Sequence, residues 1–157
     1  MKPKVCVEIG SARGKSTYHI AQALRENLDG RLYAIDPHHA TDWNDAGERD
    51  TLPALRRNLR AMGGEAYVEI IRSGSAEAAR RWKRPIDLLF IDGDHSYDAC
   101  KADIAAWAPF VKRGGVIAFH DFGSRADGVT RAIFEATKAG RVAEIVGVAN
   151  TIIAFRM

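Results

Sequence analysis

The chain has 157 residues, of which 46% are hydrophobic and 27% charged, and its formal net charge is +3 at pH 7. This length and balance indicate one soluble globular domain with a substantial core. The basic residues are dispersed, so the small positive charge argues against nucleic acid as a partner. The densest basic run, residues 80–84, is better explained as the solvated end of a helix.

The cysteines and the apolar runs bear on where the protein is expected to reside. Cys6 lies in an apolar stretch and Cys100 in a predicted helix, which indicates buried reduced thiols rather than a disulfide framework. Glu8 and Arg13 interrupt the apolar start of the chain, so no signal peptide is expected. No apolar run reaches transmembrane length. These features predict a cytoplasmic domain, residues 1–157, with no membrane partner.

Apolar strand patterns alternate with helical patterns along the whole chain, which is typical of a parallel sheet with helices on both faces. The first strand is predicted to begin at Val5, and the later ones at 31–35, 67–71, 86–91, 116–119, 142–148 and 151–155. The predicted helices are about 15–28, 51–62 with Thr51 as its N-cap, 75–81, 99–110 and 125–139. The last two strands are close enough to form a hairpin. The expected class is therefore α/β, a doubly wound Rossmann-like sheet with an antiparallel C-terminal hairpin.

The turn after the first strand is the most informative local pattern. Gly10 and Gly14 follow the acid Glu8, and a helix begins directly afterwards with its N-terminus facing the turn. A Walker phosphate loop needs four residues between its first glycine and Gly-Lys-Ser, and this loop has three. A dinucleotide fingerprint needs a glycine at position 12, which is alanine. What remains, acid-x-Gly-x-x-x-Gly, suits another nucleotide-like cofactor or a turn that binds no ligand.

Two later strand ends carry polar residues that suit a nucleoside. Asp36 follows the second strand, 22 residues after Gly14, where an acid commonly accepts hydrogen bonds from ribose hydroxyls. The alternative is a turn aspartate that precedes Pro37. Ser73 and Ser75 follow the third strand, where they could hydrogen-bond an adenine edge, although Ser75 is equally suited to cap the next helix.

Four ionisable side chains follow the fourth and fifth strands. Asp92 and His95 come after the fourth strand, and His120 and Asp121 come after the fifth. Because the carboxyl ends of parallel strands share one edge of the sheet, these side chains are expected to converge. Such a group can bind a divalent cation, act as a general base, or do both. The alternative is that each is an ordinary loop residue.

Segments 91–97 and 114–121, with the helix between them, resemble the macrocin-type sugar O-methyltransferases and, more distantly, the catechol-type O-methyltransferases. The glycine turn resembles motif I of the Rossmann-like S-adenosylmethionine methyltransferases. The resemblance extends from the first strand to the closing hairpin. It implies a sheet in the order 3-2-1-4-5-7-6 and transfer of a methyl group from S-adenosylmethionine to a hydroxyl of a small-molecule acceptor.

The resemblance also implies site residues. The cofactor is expected to contact Glu8, Gly10, Ser11, Gly14, Asp36, Ser75 and Asp92, with Glu8 near the methionine amino group. The metal-dependent relatives hold Mg²⁺ at positions that match Asp92, His120 and Asp121, so Mg²⁺ or Mn²⁺ is the expected ion. His95 matches a candidate base of the macrocin-type enzymes, and the expected catalytic pair is His95 and Asp92.

Two departures leave alternatives open. His120 stands where the relatives usually have an acidic ligand, so the site would favour Mn²⁺, Fe²⁺ or Zn²⁺, or leave His120 outside the coordination shell. The chain begins almost at the first strand, where relatives carry cap helices. The loop 38–50, with Trp43, or a partner subunit would then complete the acceptor pocket, and self-association is left open. The histidines at 38 and 39 are expected to lie at the surface without a role, and the alternatives are a metal ligand or a contact with the acceptor.

Three other functions compete with methyl transfer. A non-catalytic module would bind S-adenosylmethionine or S-adenosylhomocysteine and transfer nothing. A metal-dependent enzyme without that cofactor could use His95, His120 and an aspartate as a facial triad. A nucleotide hydrolase fits least, because Lys15 and Ser16 lie in a loop of the wrong length.

Overall fold

A computed structural model describes residues 2–39, 50–124 and 127–157 of the chain. Within these ranges the strands are β1 Val5–Ile9, β2 Arg31–Ile35, β3 Val68–Ile71, β4 Ile86–Ile91, β5 Val111–Phe119, β6 Glu144–Ala149 and β7 Ile152–Arg156. The α-helices of the same ranges are α1 Lys15–Asn27, α2 Leu52–Met62, α3 Ser75–Arg81, α4 Tyr97–Trp107 and α5 Asp127–Lys138. Short 3₁₀ turns lie at Glu65–Tyr67 and Ala108–Phe110.

The described strands form one seven-stranded sheet in the order β3-β2-β1-β4-β5-β7-β6, which confirms the predicted order. Strands β1 to β5 run parallel, and β7 pairs antiparallel with β5 and β6. The chain winds outward in opposite directions from β1 and β4, so the switch point of the sheet lies between them. Open α/β sheets bind ligands in the crevice at such a point, outside the carboxyl ends of the strands. In this protein that crevice follows Ile9 and Ile91.

Helices cover both faces of the sheet, and each face has its own apolar core. Helices α1 and α2 pack on one face around Leu24, Leu32 and Leu55, whereas α3, α4 and α5 pack on the other around Trp107 and Phe119. These side chains are at most 1% exposed, as expected for a sheet buried between two helical layers. Among the helices that the structure describes, none is both long and apolar enough to cross a membrane.

Both cysteines are buried and free, as predicted. Burial raises the pKa of the Cys6 and Cys100 thiols to about 12, so both remain protonated at neutral pH. A protonated thiol is a poor nucleophile and a poor metal ligand, and these two residues therefore serve as small core side chains.

Several element boundaries differ from the prediction by one or more residues, and two of the differences have a clear physical cause. Strand β5 begins earlier, at Val111, because it pairs with β4 on both sides of a register irregularity between Ile86 and Leu88. Helix α4 also begins earlier, because Ser96 caps it by accepting a hydrogen bond from the backbone N–H of Ala99. The earlier start of α4 shortens the loop between β4 and α4, which carries Asp92 and His95.

Candidate active site

The turn between β1 and α1 lies directly against the end of β4. Gly10 has a φ of 88°, and a Cβ atom there would lie 2.0 Å from the backbone oxygen of Asp92. Gly14 has a φ of 91°, and its Cβ would lie 2.5 Å from the Leu55 side chain. Both positions therefore require glycine, because any larger residue is strained and collides with its neighbour. The turn consequently presents bare backbone to the crevice at the switch point.

Glu8 lies fully buried beneath this turn. Its Oε1 accepts a 2.5 Å hydrogen bond from the Ser16 hydroxyl, and its Oε2 accepts a 2.6 Å hydrogen bond from the Thr17 hydroxyl. Burial raises the pKa of Glu8 to about 7 against the opposing effect of these hydroxyls, and nearby carboxylates raise it further. The side chain thus joins β1 to the first turn of α1. Its predicted place near the methionine amino group stays a prediction.

The raised pKa of Glu8 predicts a pH-dependent contribution to stability. The folded protein binds this proton more tightly than the unfolded chain, whose glutamate has its ordinary pKa near 4.5. Stabilisation by Glu8 is therefore full below pH 4.5 and is lost as the pH rises to about 7. Relative to Glu8→Gln, the free energy of unfolding of the natural protein should fall by up to about 3 kcal/mol over this window.

Urea denaturation of both proteins at pH 5 and pH 8 measures this difference. The exposed Glu144 serves as a control, because Glu144→Gln should shift stability equally at the two pH values. Parallel pH profiles for the natural protein and Glu8→Gln would show that the buried carboxyl titrates normally.

Asp36 follows β2 and is bound to the glycine turn. Its Oδ2 accepts a 2.8 Å hydrogen bond from the backbone N–H of Ala12, and its Oδ1 accepts one of 2.6 Å from that of His38. Each carboxylate oxygen has a second lone pair, so Asp36 retains the capacity to accept from a ligand. The neighbouring Ser11 hydroxyl is buried, with no hydrogen-bond partner among the described residues. Contact of Ser11 and Asp36 with the cofactor stays a prediction.

His38 is fully buried, so the expectation of a surface histidine is wrong. Its Nδ1 lies 2.9 Å from the Thr51 hydroxyl, which joins β2 to α2, and burial lowers the pKa of this imidazole. Thr51 holds the predicted N-cap position, but Asp50 rather than Thr51 accepts from the N–H of Leu52. The rest of the predicted acceptor loop, 40–49 with Trp43, lies outside the described residues.

Ser75 is the first residue of α3, where Gly74 holds the N-cap position. Capping by Ser75, one of its two predicted roles, is therefore wrong. Its hydroxyl instead donates to the carboxylate of Asp103 and accepts a 2.9 Å hydrogen bond from Trp107 Nε1. Burial raises the pKa of Asp103 to about 6. Asp103 was not predicted from the sequence, where its only signal is its position on the buried face of α4. Contact of Ser75 with adenine stays a prediction.

The structure brings together the four ionisable side chains at the carboxyl ends of β4 and β5. Ligand atoms of Asp92, His95, His120 and Asp121 lie within 4.8 Å of one another. His120 Nδ1 is 3.2 Å from both Asp92 Oδ1 and Asp121 Oδ2. His95 Nδ1 is 3.0 Å from Asp121 Oδ2, and its Nε2 is 3.6 Å from Asp92 Oδ1. We refer to these four residues as the edge cluster.

Backbone pairing explains why the edge cluster forms. The N–H of Asp92 donates to the carbonyl of Ile9, and the N–H of His120 donates to that of Ile91, so the sheet ladder continues one residue past the strands. Asp121 then adopts a left-handed backbone with a φ of 59°, which ends β5. Asp94 does not join the cluster, since its Oδ1 accepts from the N–H of Ser96 in a tight turn.

Helix α5 supports both halves of the edge cluster. A Cβ at Gly128 would lie 2.5 Å from the backbone nitrogen of Tyr97 and 2.7 Å from the carbonyl oxygen of His95, so the helix packs against the His95 loop without a gap. The Thr130 hydroxyl of the same helix accepts from the N–H of Gly123, which follows the Asp121 turn. Gly128 and Thr130 were not predicted from the sequence, because their contacts depend on the tertiary packing.

The donor atoms of the edge cluster fit a divalent cation. His120 Nδ1 is buried and makes no hydrogen bond within the described structure, although two carboxylate oxygens lie 3.2 Å away. Two half-buried carboxylates, Asp92 and Asp121, face the same point and repel each other unless a positive charge compensates them. Hydrogen bonding to Asp92 and the charge of Asp121 raise the pKa of His95, against the effect of burial.

A family model described as a methyltransferase domain matches residues 7–122. The matched span runs from β1 through the turn after β5, and it includes the glycine turn, Asp36 and the whole edge cluster. The chain belongs to this family. Its seven-stranded sheet is the Rossmann-like sheet found in methyltransferase structures.

Similar proteins agree in fold. The chain is 26% identical over 127 residues to the uncharacterized protein y4gI of Sinorhizobium fredii, in a match covering 77% of this chain but 13% of that protein. Three solved structures are similar over nearly the whole chain. The S-adenosylhomocysteine-bound methyltransferase PaMTH1 of Podospora anserina is 13% identical with a TM-score of 0.76, and the match covers 99% of this chain and 72% of that one. The TDP-rhamnose 3′-O-methyltransferase CalS11 of calicheamicin biosynthesis is 18% identical with a TM-score of 0.72, and the match covers 98% of this chain and 71% of that one. An rRNA methylase of Streptococcus thermophilus is 17% identical with a TM-score of 0.67, and the match covers 99% of this chain and 87% of that one. At these identities the likeness shows the fold alone.

Proposed function

We propose that this methyltransferase transfers the methyl group of S-adenosylmethionine to a hydroxyl of a small molecule, with the help of a divalent metal ion. The observation that carries the proposal is the edge cluster, which lies beside the glycine turn at the switch point of the sheet. A hydroxyl is a poor nucleophile at neutral pH and needs a base or a cation to activate it. The edge cluster contains groups suited to both tasks.

The cofactor is proposed to lie across the switch point. The turn from Gly10 to Gly14 would seat its methionine portion, Asp36 its ribose and Ser75 its adenine. Gly10 packs against the backbone of Asp92, so a ligand on the turn is immediately next to the edge cluster. The methyl group would then point toward Asp92 and His95.

Methyl transfer is an in-line displacement in which the acceptor oxygen bonds to the methyl carbon as the carbon–sulfur bond breaks. S-adenosylhomocysteine leaves, and the acceptor proton must go to a base. His95 is the proposed base, and the 3.0 Å distance from its Nδ1 to Asp121 supports the assignment. A proton on Nδ1 that is donated to Asp121 leaves the lone pair on Nε2. A divalent ion held by Asp92, His120 and Asp121 would lower the pKa of the acceptor hydroxyl.

A small molecule is the proposed acceptor. Among the similar structures, CalS11 is a sugar 3′-O-methyltransferase, whereas the Streptococcus thermophilus protein acts on rRNA. The dispersed basic residues and the net charge of +3 favour the first kind of acceptor over a polyanion. We therefore propose that neither nucleic acid nor a membrane is a partner. The cytoplasmic location stays a prediction.

Calorimetric titration of S-adenosylmethionine, first with EDTA and then with Mg²⁺ or Mn²⁺, tests the cofactor assignment. We expect saturable binding at one site, which Asp36→Ala should weaken by about 10- to 100-fold, because hydrogen bonds to a charged group contribute about 1.5–3 kcal/mol. Asp36→Asn keeps one acceptor oxygen, so its affinity for S-adenosylmethionine should lie between those of the natural protein and Asp36→Ala. The exposed Asp98 provides the control, and Asp98→Ala should bind normally.

Two results would contradict this proposal. Absence of binding with and without metal would remove the cofactor site, and an unchanged dissociation constant for Asp36→Ala would remove the ribose contact. Tight binding without methyl transfer to any hydroxyl acceptor would instead identify a binding module.

A further inference from the structure

We infer that the edge cluster selects a first-row transition ion, such as Mn²⁺, Fe²⁺ or Zn²⁺, over Mg²⁺, and that His120 Nδ1 is one of the ligands. This inference rests on the proposed metal-assisted function. It concerns only the identity of the ion and the atom that selects it. Its test therefore requires neither S-adenosylmethionine nor an acceptor.

His120 Nδ1 is a buried polar atom that faces two carboxylates. His120 Nδ1 lies 3.2 Å from one oxygen of Asp92 and 3.2 Å from one oxygen of Asp121, yet it forms a hydrogen bond with neither. The buried nitrogen therefore has two carboxylate oxygens beside it and a hydrogen bond to neither, which is unfavourable unless a cation lies between them. Ligands of one ion at about 2.1 Å are themselves about 3.0–3.4 Å apart, in agreement with the observed spacing.

His120 is held in place by the sheet and by a neighbouring ring. Its N–H pairs with the carbonyl of Ile91 in the sheet ladder, and its ring lies edge-on to Phe90 with the ring centroids 6.5 Å apart. Its Nδ1 is buried against the cluster even though the side chain as a whole is 37% exposed. The nitrogen is therefore an integral part of the site.

The chemistry of the donor atoms favours a transition ion over Mg²⁺. Mg²⁺ binds oxygen ligands almost exclusively and retains several waters, whereas imidazole suits the transition ions. Affinity for a mixed nitrogen and oxygen site generally rises from Mn²⁺ through Fe²⁺ to Co²⁺. A site in which His120 supplies nitrogen should bind Mn²⁺ at least about tenfold more tightly than Mg²⁺, and Co²⁺ more tightly still.

His95 is the matched control, because it is the other imidazole of the same cluster. Its Nδ1 faces Asp121 and its Nε2 is assigned to the acceptor proton, so it is not needed as a ligand. The substitutions His120→Asp and His95→Gln thus separate a coordinating imidazole from a neighbouring one. His120→Asp also replaces nitrogen by oxygen without removing a ligand.

The experiment titrates chelator-stripped protein with MgCl₂, MnCl₂ and CoCl₂ alone, and records nitrogen hyperfine coupling to bound Mn²⁺ by electron paramagnetic resonance. We expect Mg²⁺ to bind most weakly and Mn²⁺ to show coupling to an imidazole nitrogen. His120→Asp should abolish the coupling and reduce the preference for Mn²⁺ over Mg²⁺ by about tenfold. His95→Gln should retain both the coupling and the preference.

Equal affinity for Mg²⁺ and Mn²⁺ in the natural protein would overturn the inference. So would nitrogen coupling that persists in His120→Asp or disappears in His95→Gln, because His95 would then be the ligand. Circular dichroism checks that each variant is folded, and His120→Asn provides a second substitution if the aspartate variant is not. Failure to bind S-adenosylmethionine would contradict the proposed function and leave the metal titrations unchanged.

Discussion

Replacing His95 with glutamine is expected to lower the turnover number by about 10²–10⁴-fold, which is the usual contribution of a positioned general base. Glutamine has a similar length, but it cannot accept the proton of the acceptor hydroxyl. The dissociation constant for S-adenosylmethionine should stay nearly unchanged, because the proposed role of His95 is to act on the acceptor and not on the cofactor. The rate of S-adenosylhomocysteine release, with an acceptor from a screen of catechols and sugars, measures the first quantity.

The histidine at position 19 is a suitable control for this experiment. It is exposed on α1, and His19→Gln should leave both turnover and cofactor affinity as they are. Normal turnover in His95→Gln would remove His95 from the mechanism. A parallel loss of cofactor affinity would point to a structural role for the loop between β4 and α4.

Replacing Gly10 with alanine is expected to abolish cofactor binding and to reduce the free energy of unfolding by about 3 kcal/mol or more. The added Cβ would overlap the backbone oxygen of Asp92 at 2.0 Å, and the φ of 88° is strained for any residue with a side chain. The neighbouring atom belongs to the backbone, so no side-chain rotation relieves the overlap. Urea denaturation measures the loss of stability, and calorimetry measures the loss of binding.

Gly147 in β6 offers a matched control. A Cβ there has no heavy atom within 4 Å among its described surroundings, so Gly147→Ala should leave stability and binding nearly unchanged. If Gly10→Ala binds S-adenosylmethionine with normal affinity, the turn after β1 is not where the cofactor lies. If it is as stable as Gly147→Ala, the close contact with β4 is relaxed in solution.

The order of the strands was accessible to sequence reasoning because each strand is a short apolar run with clear limits. Strand β4 and helix α3 agree with the prediction to the residue, since both are bounded by polar or turn-forming segments. The start of β5 was not accessible, because Gly114 and Gly115 are typical of a turn. Tertiary pairing draws 111–115 into the strand, with β4 at Val111 and with Met157 at the two glycines. Local propensity was overridden there by the ladder.

The edge cluster was predictable for a topological reason. The alternating pattern makes β4 and β5 neighbours, and residues that follow neighbouring parallel strands must meet at one edge. Asp92 and His120 are therefore close although 28 positions separate them in the sequence. What the sequence could not provide is the orientation of each ring nitrogen, which depends on packing around Phe90 and Asp121.

Buried polar contacts between distant segments were the part that sequence reasoning missed. His38 bonds Thr51, and Ser75 bonds Asp103, across 13 and 28 positions respectively. Hydrophobic periodicity identifies buried faces but gives no sign of which polar residues are paired within them. Histidine and aspartate are commonly exposed, so the expectation for His38 failed where tertiary context decided otherwise.

The absence of any gap between Gly10 and the backbone of Asp92 has a consequence for how this protein can diversify. In the proposed site, the turn that would hold the methyl donor lies against the edge cluster that would activate the acceptor, so a change in the backbone of one displaces the other. New acceptors would therefore be accommodated by side chains outside this contact. We expect substitutions that change the acceptor to lie at the entrance of the crevice, and the contact between Gly10 and Asp92 to stay unchanged.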